Sequence, residues 1–204
     1  VVCASHSGEA KHQAAVADLL ARAGCRVDEL RCGAHVPGVY ALLDEAPPPP
    51  PYSPLAHNCS GKHAGMLALC ALSGWPREGY LEPGHPLQAA IRAAIAGHAG
   101  VRAGDLVPAI DGCSAPTYAL PLSGLARAYA RIARADDGGS DAAARRTIFD
   151  AMSAHPDYVS GVRRFDLALM RAGRGDWVAK VGAEGVQAVG LRREGLGIAI
   201  KVAD

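Results

Sequence analysis

Cys59 and Lys62 stand three residues apart in HNCSGKHAG (57–65), at the head of an apolar run. If that run is helical, the spacing puts their side chains on neighbouring positions of one face. A second cysteine, Cys113, sits in IDGCSAP, which reads as an apolar strand running into a glycine turn, a place that presents a side chain into a cleft. Thiolates are good zinc ligands, and two of them from separate loops can share one ion. The dipole at a helix N-terminus predicts a lowered pKa for Cys59. Four residues compete for the third ligand position: His57, His63, Asp111 and Lys62. General zinc chemistry favours a histidine. A lysine ligates only as the free amine, and holding it neutral by burial alone takes a shift of about 3–5 pKa units, roughly 4–7 kcal/mol. A nearby dication supplies the same push by repelling the ammonium proton. The alternative is two half-buried thiols in tight turns.

A second chemistry is open to Ser5 and Lys180. Ser5 opens SHSGE, a turn of small polar residues between a strand and a helix, where N–H donors can hold an oxyanion. Lys180 lies in an otherwise apolar strand, WVAKVG. A neutral buried lysine can act as the base for a serine. The plainer readings are an edge-strand lysine pointing to solvent and a serine that caps a helix. His6, His12 and His35 show no ligand-like spacing and read as surface or turn residues. His85, before Pro86, begins a helix. Arg163 and Arg164 suit either a substrate carboxylate or a solvated face. There is no phosphate loop or dinucleotide fingerprint; GVRAGDL is glycine-spaced but follows no clear strand.

These residues need elements to position them. Val1–Ala4 reads as the end of a buried strand. The spacing of Ala14, Val16, Leu19, Leu20 and Ala23 predicts a helix over Glu9–Ala23, stopped by Gly24. RVDELRCG (26–33) alternates weakly and suits a short strand. Five consecutive prolines, Pro47–Pro51, make 46–54 an extended surface loop. Ser60–Ser73 is apolar nearly all round and predicts a buried helix. Further helices are expected over Pro86–His98, Leu122–Ala135, Asp141–Ala154 with Ser140 as N-cap, and Phe165–Ala172. WVAKVG, VQAVGL and GLGIAIKVAD are strand-like and separated by glycines. Helices in the middle and strands at the end give an α/β or α+β class with a largely antiparallel sheet covered by helices.

At 204 residues the chain suits a single domain over 1–204, and half its residues are hydrophobic, enough for a sizeable core. The formal net charge is +1 with no dense basic run, which argues against nucleic acid and against an anionic membrane surface. No apolar run is long enough to cross a bilayer and no signal-peptide pattern is present. Six cysteines in a chain with its own core read as reduced thiols of a cytoplasmic protein.

Four segments taken together, CASHSGE, HNCSGKHAGML, DGCSAPTYALPL and AKVGAEG followed by GLGIAIKVAD, occur in this order with helices between. The chain resembles the asparaginase II family, the rhizobial-type L-asparaginases, over nearly its whole length apart from the proline-rich insert. The resemblance implies a fold related to serine β-lactamases and penicillin-binding proteins, and hydrolysis of L-asparagine to L-aspartate and ammonia. It implies a zinc ion held by Cys59, Lys62 and Cys113, so that an amine takes the place general chemistry gives to a histidine. His63, Asp111, Ser60 and Arg164 become neighbours of the ion or substrate-binding residues. Ser5 matches a family serine paired with the lysine of K-x-G-A-E/D, here Lys180. A homodimer is also implied.

Two departures from the family pattern stand out. Relatives carry an additional Ser-x-x-Lys on an upstream helix, whose serine is the favoured nucleophile. None precedes Val1, and both ends break off as if within strands, so a fragment of a longer hydrolase is expected, with little asparagine hydrolysis by this segment alone. Many relatives also have Arg-Tyr-Cys where this chain has Arg164-Phe165-Asp166, a change that bears on substrate affinity or site charge. Two rival functions remain: a related amidase, such as a glutaminase or a β-lactam-type hydrolase, and a non-catalytic zinc-binding domain.

Overall fold

The computed structural model of the protein describes residues 5–134 and 138–203. The expected strand end at Val1–Ala4, Cys3 within it, and the last residues of two expected elements, Ala135 and Asp204, lie outside the described residues. Among the described residues there are eight α-helices and five strands, a mixed class with small antiparallel sheets. They divide into two compact units, 5–92 with 108–118, and 93–107 with 119–203. No helix of the described residues is long and apolar enough to cross a membrane.

The first unit packs α1 (Ala10–Arg22) on α3 (Ser60–Ser73). Glu9 caps α1 reciprocally with His12, each side chain accepting the other's backbone N–H. Gly24, with φ of 65°, ends it. Val16 and Leu20 from α1 meet Ala64, Leu67 and Cys70 from α3 in one buried cluster, joined by Tyr80 and by Leu87 from the start of α4 (Pro86–Ala99). Each fully buried leucine contributes roughly 1.5–3 kcal/mol. The buried surface of α3 is not complete: Leu69 and Leu72 are exposed, so the helix has a solvent side despite its apolar composition. His85 caps α4, its Nδ1 accepting the Leu87 N–H at 3.1 Å.

RVDELRCG forms no strand. Val27–Glu29 is a 3-10 turn, because Glu29 accepts the Arg26 N–H at 2.6 Å and the Arg26 guanidinium pairs with Asp28. These local side-chain bonds outcompete a weak alternation. A short helix, α2 (Gly38–Leu43), precedes the proline-rich segment, which is irregular and exposed as expected. Strands β1 (Val107–Ile110) and β2 (Pro116–Ala119) form a hairpin. The Asp111 N–H donates to the Ala115 carbonyl at 2.9 Å, and the Ser114 N–H to the Asp111 carbonyl at 2.9 Å.

The second unit is a three-stranded antiparallel sheet in the order β3 (Trp177–Gly182), β4 (Val186–Leu191), β5 (Leu196–Lys201). In its register Lys180 pairs with Ala188, and Ala188 with Ala199. Helix α5 (Leu122–Ala133) lies on β4 and β5. Glycines at 190 and 197 let it come that close: a Cβ at Gly190 would stand 2.8 Å from the Tyr129 carbonyl oxygen, and one at Gly197 would run into the Ala126 carbonyl. Helix α6 (Ala142–Ala154) packs on α5 and β3 and buries Phe149 and Met152. Its N-cap is Asp141, not Ser140. Asp141 also accepts from the Arg145 Nε at 3.0 Å, so the residue at the cap pairs with the side chain one turn on. Helices α7 (Pro156–Val159) and α8 (Phe165–Ala172) complete the unit, with α8 against β3.

Candidate metal centre and active site

Cys59 is the N-cap residue of α3, and its thiol makes no capping bond. The cap is provided from behind. The Cys59 N–H donates to the His57 Nδ1 at 3.0 Å, and the Ser60 N–H to the His57 carbonyl at 2.9 Å. The sulfur is thereby left for other partners, and Lys62, one turn on, shares its face. Cys113 is presented by the β1–β2 turn, 1 % exposed. Donor atoms of Cys59, Asp111 and Cys113 lie within 4.8 Å of one another. The Lys62 Nζ donates to Asp111 Oδ2 at 2.8 Å, and the Cys113 Sγ sits 3.7 Å from the same oxygen.

Burial and charge set the protonation of this group. Burial pushes the Cys59 thiol up to about 12, further raised by Cys113 and only partly offset by Lys62. The shift is opposite to the lowering expected at a helix start, because burial disfavours the thiolate more than Lys62 favours it. Burial also pulls the Lys62 amine down, but the Asp111 hydrogen bond and the neighbouring Cys59 and Cys113 reverse this and leave it above its ordinary value. For Asp111, burial acts upward and the Lys62 bond wins, holding its carboxyl below the usual range. The Cys59 thiol thus stands beside an ammonium–carboxylate pair.

Neither candidate histidine joins the metal-ligand group found among the described residues. His57 serves as the cap described above and its ring stands 4.2 Å from that of His35. His63 is fully buried. Its Nδ1 lies 2.6 Å from the Tyr80 hydroxyl, which also accepts the Arg31 N–H at 3.0 Å. The His63 Nε2 is buried and has no hydrogen-bond partner among the described residues. Burial pushes both His57 and His63 down to about 4. Between pH 6.5 and 4 the unfolded chain takes up protons that these folded rings refuse. Stability is therefore expected to fall as pH drops through that window, on the order of 2 kcal/mol per ring at pH 5. Urea midpoints at pH 7 and pH 5 measure it, and an equal or higher midpoint at pH 5 contradicts it.

Ser5 lies just ahead of α1 with a φ of 63°, an unusual backbone for a non-glycine residue. The residue after it is tied down on all sides. The His6 N–H donates to the Asn58 carbonyl at 3.2 Å, its Nδ1 accepts the Gly8 N–H at 3.1 Å, and its Nε2 stands 3.0 Å from the Ser60 Oγ. Ser60 is fully buried and passes its own proton to the Leu55 carbonyl at 2.8 Å. His6 and His12 are not surface residues as the sequence suggests; both are buried and their rings stack at 4.8 Å. The SHSGE turn is thus fastened to the residues that open α3.

Lys180, Asp166 and Arg164 belong to the second unit. Lys180 does not point to solvent: its side chain is 16 % exposed, with Nζ donating to the Val181 carbonyl at 2.8 Å and lying 3.8 Å from Asp166 Oδ2. Asp166 is in the first turn of α8, for which Arg164 is the N-cap residue. Sequence reasoning marked Asp166 only as a departure and missed Tyr80 and Gln187, since nothing local shows that a tyrosine backs His63 or a glutamine holds a carboxylate.

The five cysteines among the described residues are all free thiols. No curated protein matches the sequence. The model of the L-asparaginase II family, in contrast, matches residues 1–204, the whole chain. On that match over its full length, the chain belongs to the L-asparaginase II family.

Proposed function

We propose that the chain carries the chemistry of an L-asparagine amidohydrolase, releasing ammonia through serine–lysine catalysis beside a zinc centre, on a scaffold related to serine β-lactamases. The observation that carries this is the convergence of Cys59, Asp111 and Cys113 within 4.8 Å, with Lys62 bonded to Asp111, in a chain of this family. The donor set fits zinc. Its bonds of about 2.0–2.3 Å separate tetrahedral ligand atoms by about 3.3–3.8 Å, a modest contraction from the present spacing of Cys59, Asp111 and Cys113. Cys59, Lys62 and Cys113 would hold the ion, with Asp111 beside them. When bound, zinc supplies a positive anchor for the α-carboxylate or free α-amine of the substrate.

The remaining steps belong to the chain. A serine hydroxyl attacks the side-chain amide carbon, giving an acyl–serine ester as the C–N bond breaks. A lysine amine takes the serine proton and returns it to the departing ammonia; water then repeats the sequence on the ester. The resemblance assigns that exchange to Ser5 and Lys180. The fastening of the SHSGE turn, which holds Ser5 in its rare backbone conformation, supports the first assignment. The shielding of Lys180 from solvent supports the second. A homodimer, on the resemblance, and a cytoplasmic setting, on the reading of the cysteines as reduced thiols, complete the proposal.

Ammonia release from L-asparagine and L-glutamine, and ring opening of a β-lactam, compared on the zinc-loaded protein, test this. Asparagine is expected to be preferred by at least about tenfold. A preference for glutamine or the lactam selects the related amidases, and bound zinc with no turnover of any substrate by the complete gene product selects the non-catalytic domain.

A further inference from the structure

Asp166 is a carboxylate that the metal centre does not use. It is 1 % exposed, and both oxygens are engaged: Oδ2 accepts the Val181 N–H at 3.1 Å and Oδ1 the Gln187 side-chain amide at 3.0 Å. These two neutral donors come from adjacent strands, β3 and β4, so the carboxylate is fixed relative to the sheet and not merely to its own helix. Lys180 Nζ lies 3.8 Å from Oδ2. An amine shielded from water next to a fixed carboxylate is favoured as the ammonium, since the attraction acts in a low local dielectric.

We propose that Asp166 is the positioning residue of Lys180, a buried carboxylate held by Val181 and Gln187 that keeps the lysine amine charged and aimed in the resting protein. The catalytic meaning of this rests on Lys180 carrying the proton in the proposed reaction. It follows that the base form becomes common only toward alkaline pH. Other ionisable groups on the elements packed against β3 are Arg145, Arg146 and Asp150 on α6 and Arg171 on α8; β4 brings none. Among the described residues Arg145 is bonded to Asp141 and Asp150 to Arg192, while Asp166 lies 3.8 Å from this amine.

The chain has only four lysines, Lys11, Lys62, Lys180 and Lys201, so reductive methylation with a carbon-13 label gives an NMR spectrum in which each amine is followed separately. In the wild-type protein the Lys180 signal is expected to titrate at higher pH than that of exposed Lys201. In Asp166→Asn its transition moves down by about one unit or more, and Asp166→Glu retains the wild-type position. The ascending limb of kcat/KM for asparagine moves in the same direction by the same amount. A wild-type transition at or below that of Lys201 overturns the proposal even if the Asn variant does not fold, and so does a transition unmoved in a folded Asn variant. A moved transition in a protein whose activity survives Lys180→Met upholds the pairing and removes Lys180 from the proposed reaction.

Discussion

Replacing Cys59 or Cys113 by serine is expected to weaken zinc binding by at least about a hundredfold, the upper end of what changes to outer-shell residues cost. Competition against a chromophoric chelator measures this directly. Asp111→Asn leaves both sulfurs and the amine in place and is expected to cost less, about 10–100-fold. The pH dependence of binding identifies the ligands independently. Without metal the Cys59 thiol is pushed up to about 12 and Lys62 is held above its ordinary value, so both carry protons at neutral pH. A cation that binds both must displace two protons. Affinity should therefore rise as pH rises, by about tenfold per unit for each proton released. An affinity that does not change between pH 7 and pH 8 would mean that neither group is a ligand.

The second large effect concerns Lys180. Its replacement by methionine is expected to lower kcat for asparagine by about 10²–10⁴-fold, the range for loss of a positioned proton carrier. Zinc content should be unchanged. Lys180→Arg is the informative companion: it restores a cation beside Asp166 but not a base at neutral pH, so it should recover stability without recovering turnover. Methionine, in contrast, strands a buried carboxylate, which typically costs about 3–5 kcal/mol. An arginine variant with near-wild-type kcat would assign the lysine an electrostatic role and take proton transfer from it.

Much of the helical framework is readable from local pattern. Ser60–Ser73 and Phe165–Ala172 are found with the expected bounds, because apolar spacing and a following glycine are signals within one stretch of chain. The two cysteines and Lys62 are likewise marked by their setting among small residues at element ends. What escapes is pairing across the sequence. Lys62 and Asp111 are 49 residues apart and Lys180 and Asp166 are 14 apart; nothing in either neighbourhood names its partner. The histidines fail for the same reason. His6 looks like a turn residue until the turn is seen to lie on the residues before α3, where its ring finds Ser60. At 26–33 the error runs the other way: a faint alternation suggests a strand, while Glu29 and Asp28 reach back to Arg26 and close a turn.

The bare backbone at Gly190 and Gly197 has a consequence for anyone diversifying this protein. Where α5 meets the sheet through main-chain atoms, no rotamer can swing aside to admit a methyl group. A combinatorial library built over β4 and β5 should recover wide variety at the outward Ile198 and Ile200 and return only glycine at these two sites, a sequence fingerprint imposed by the distance between layers.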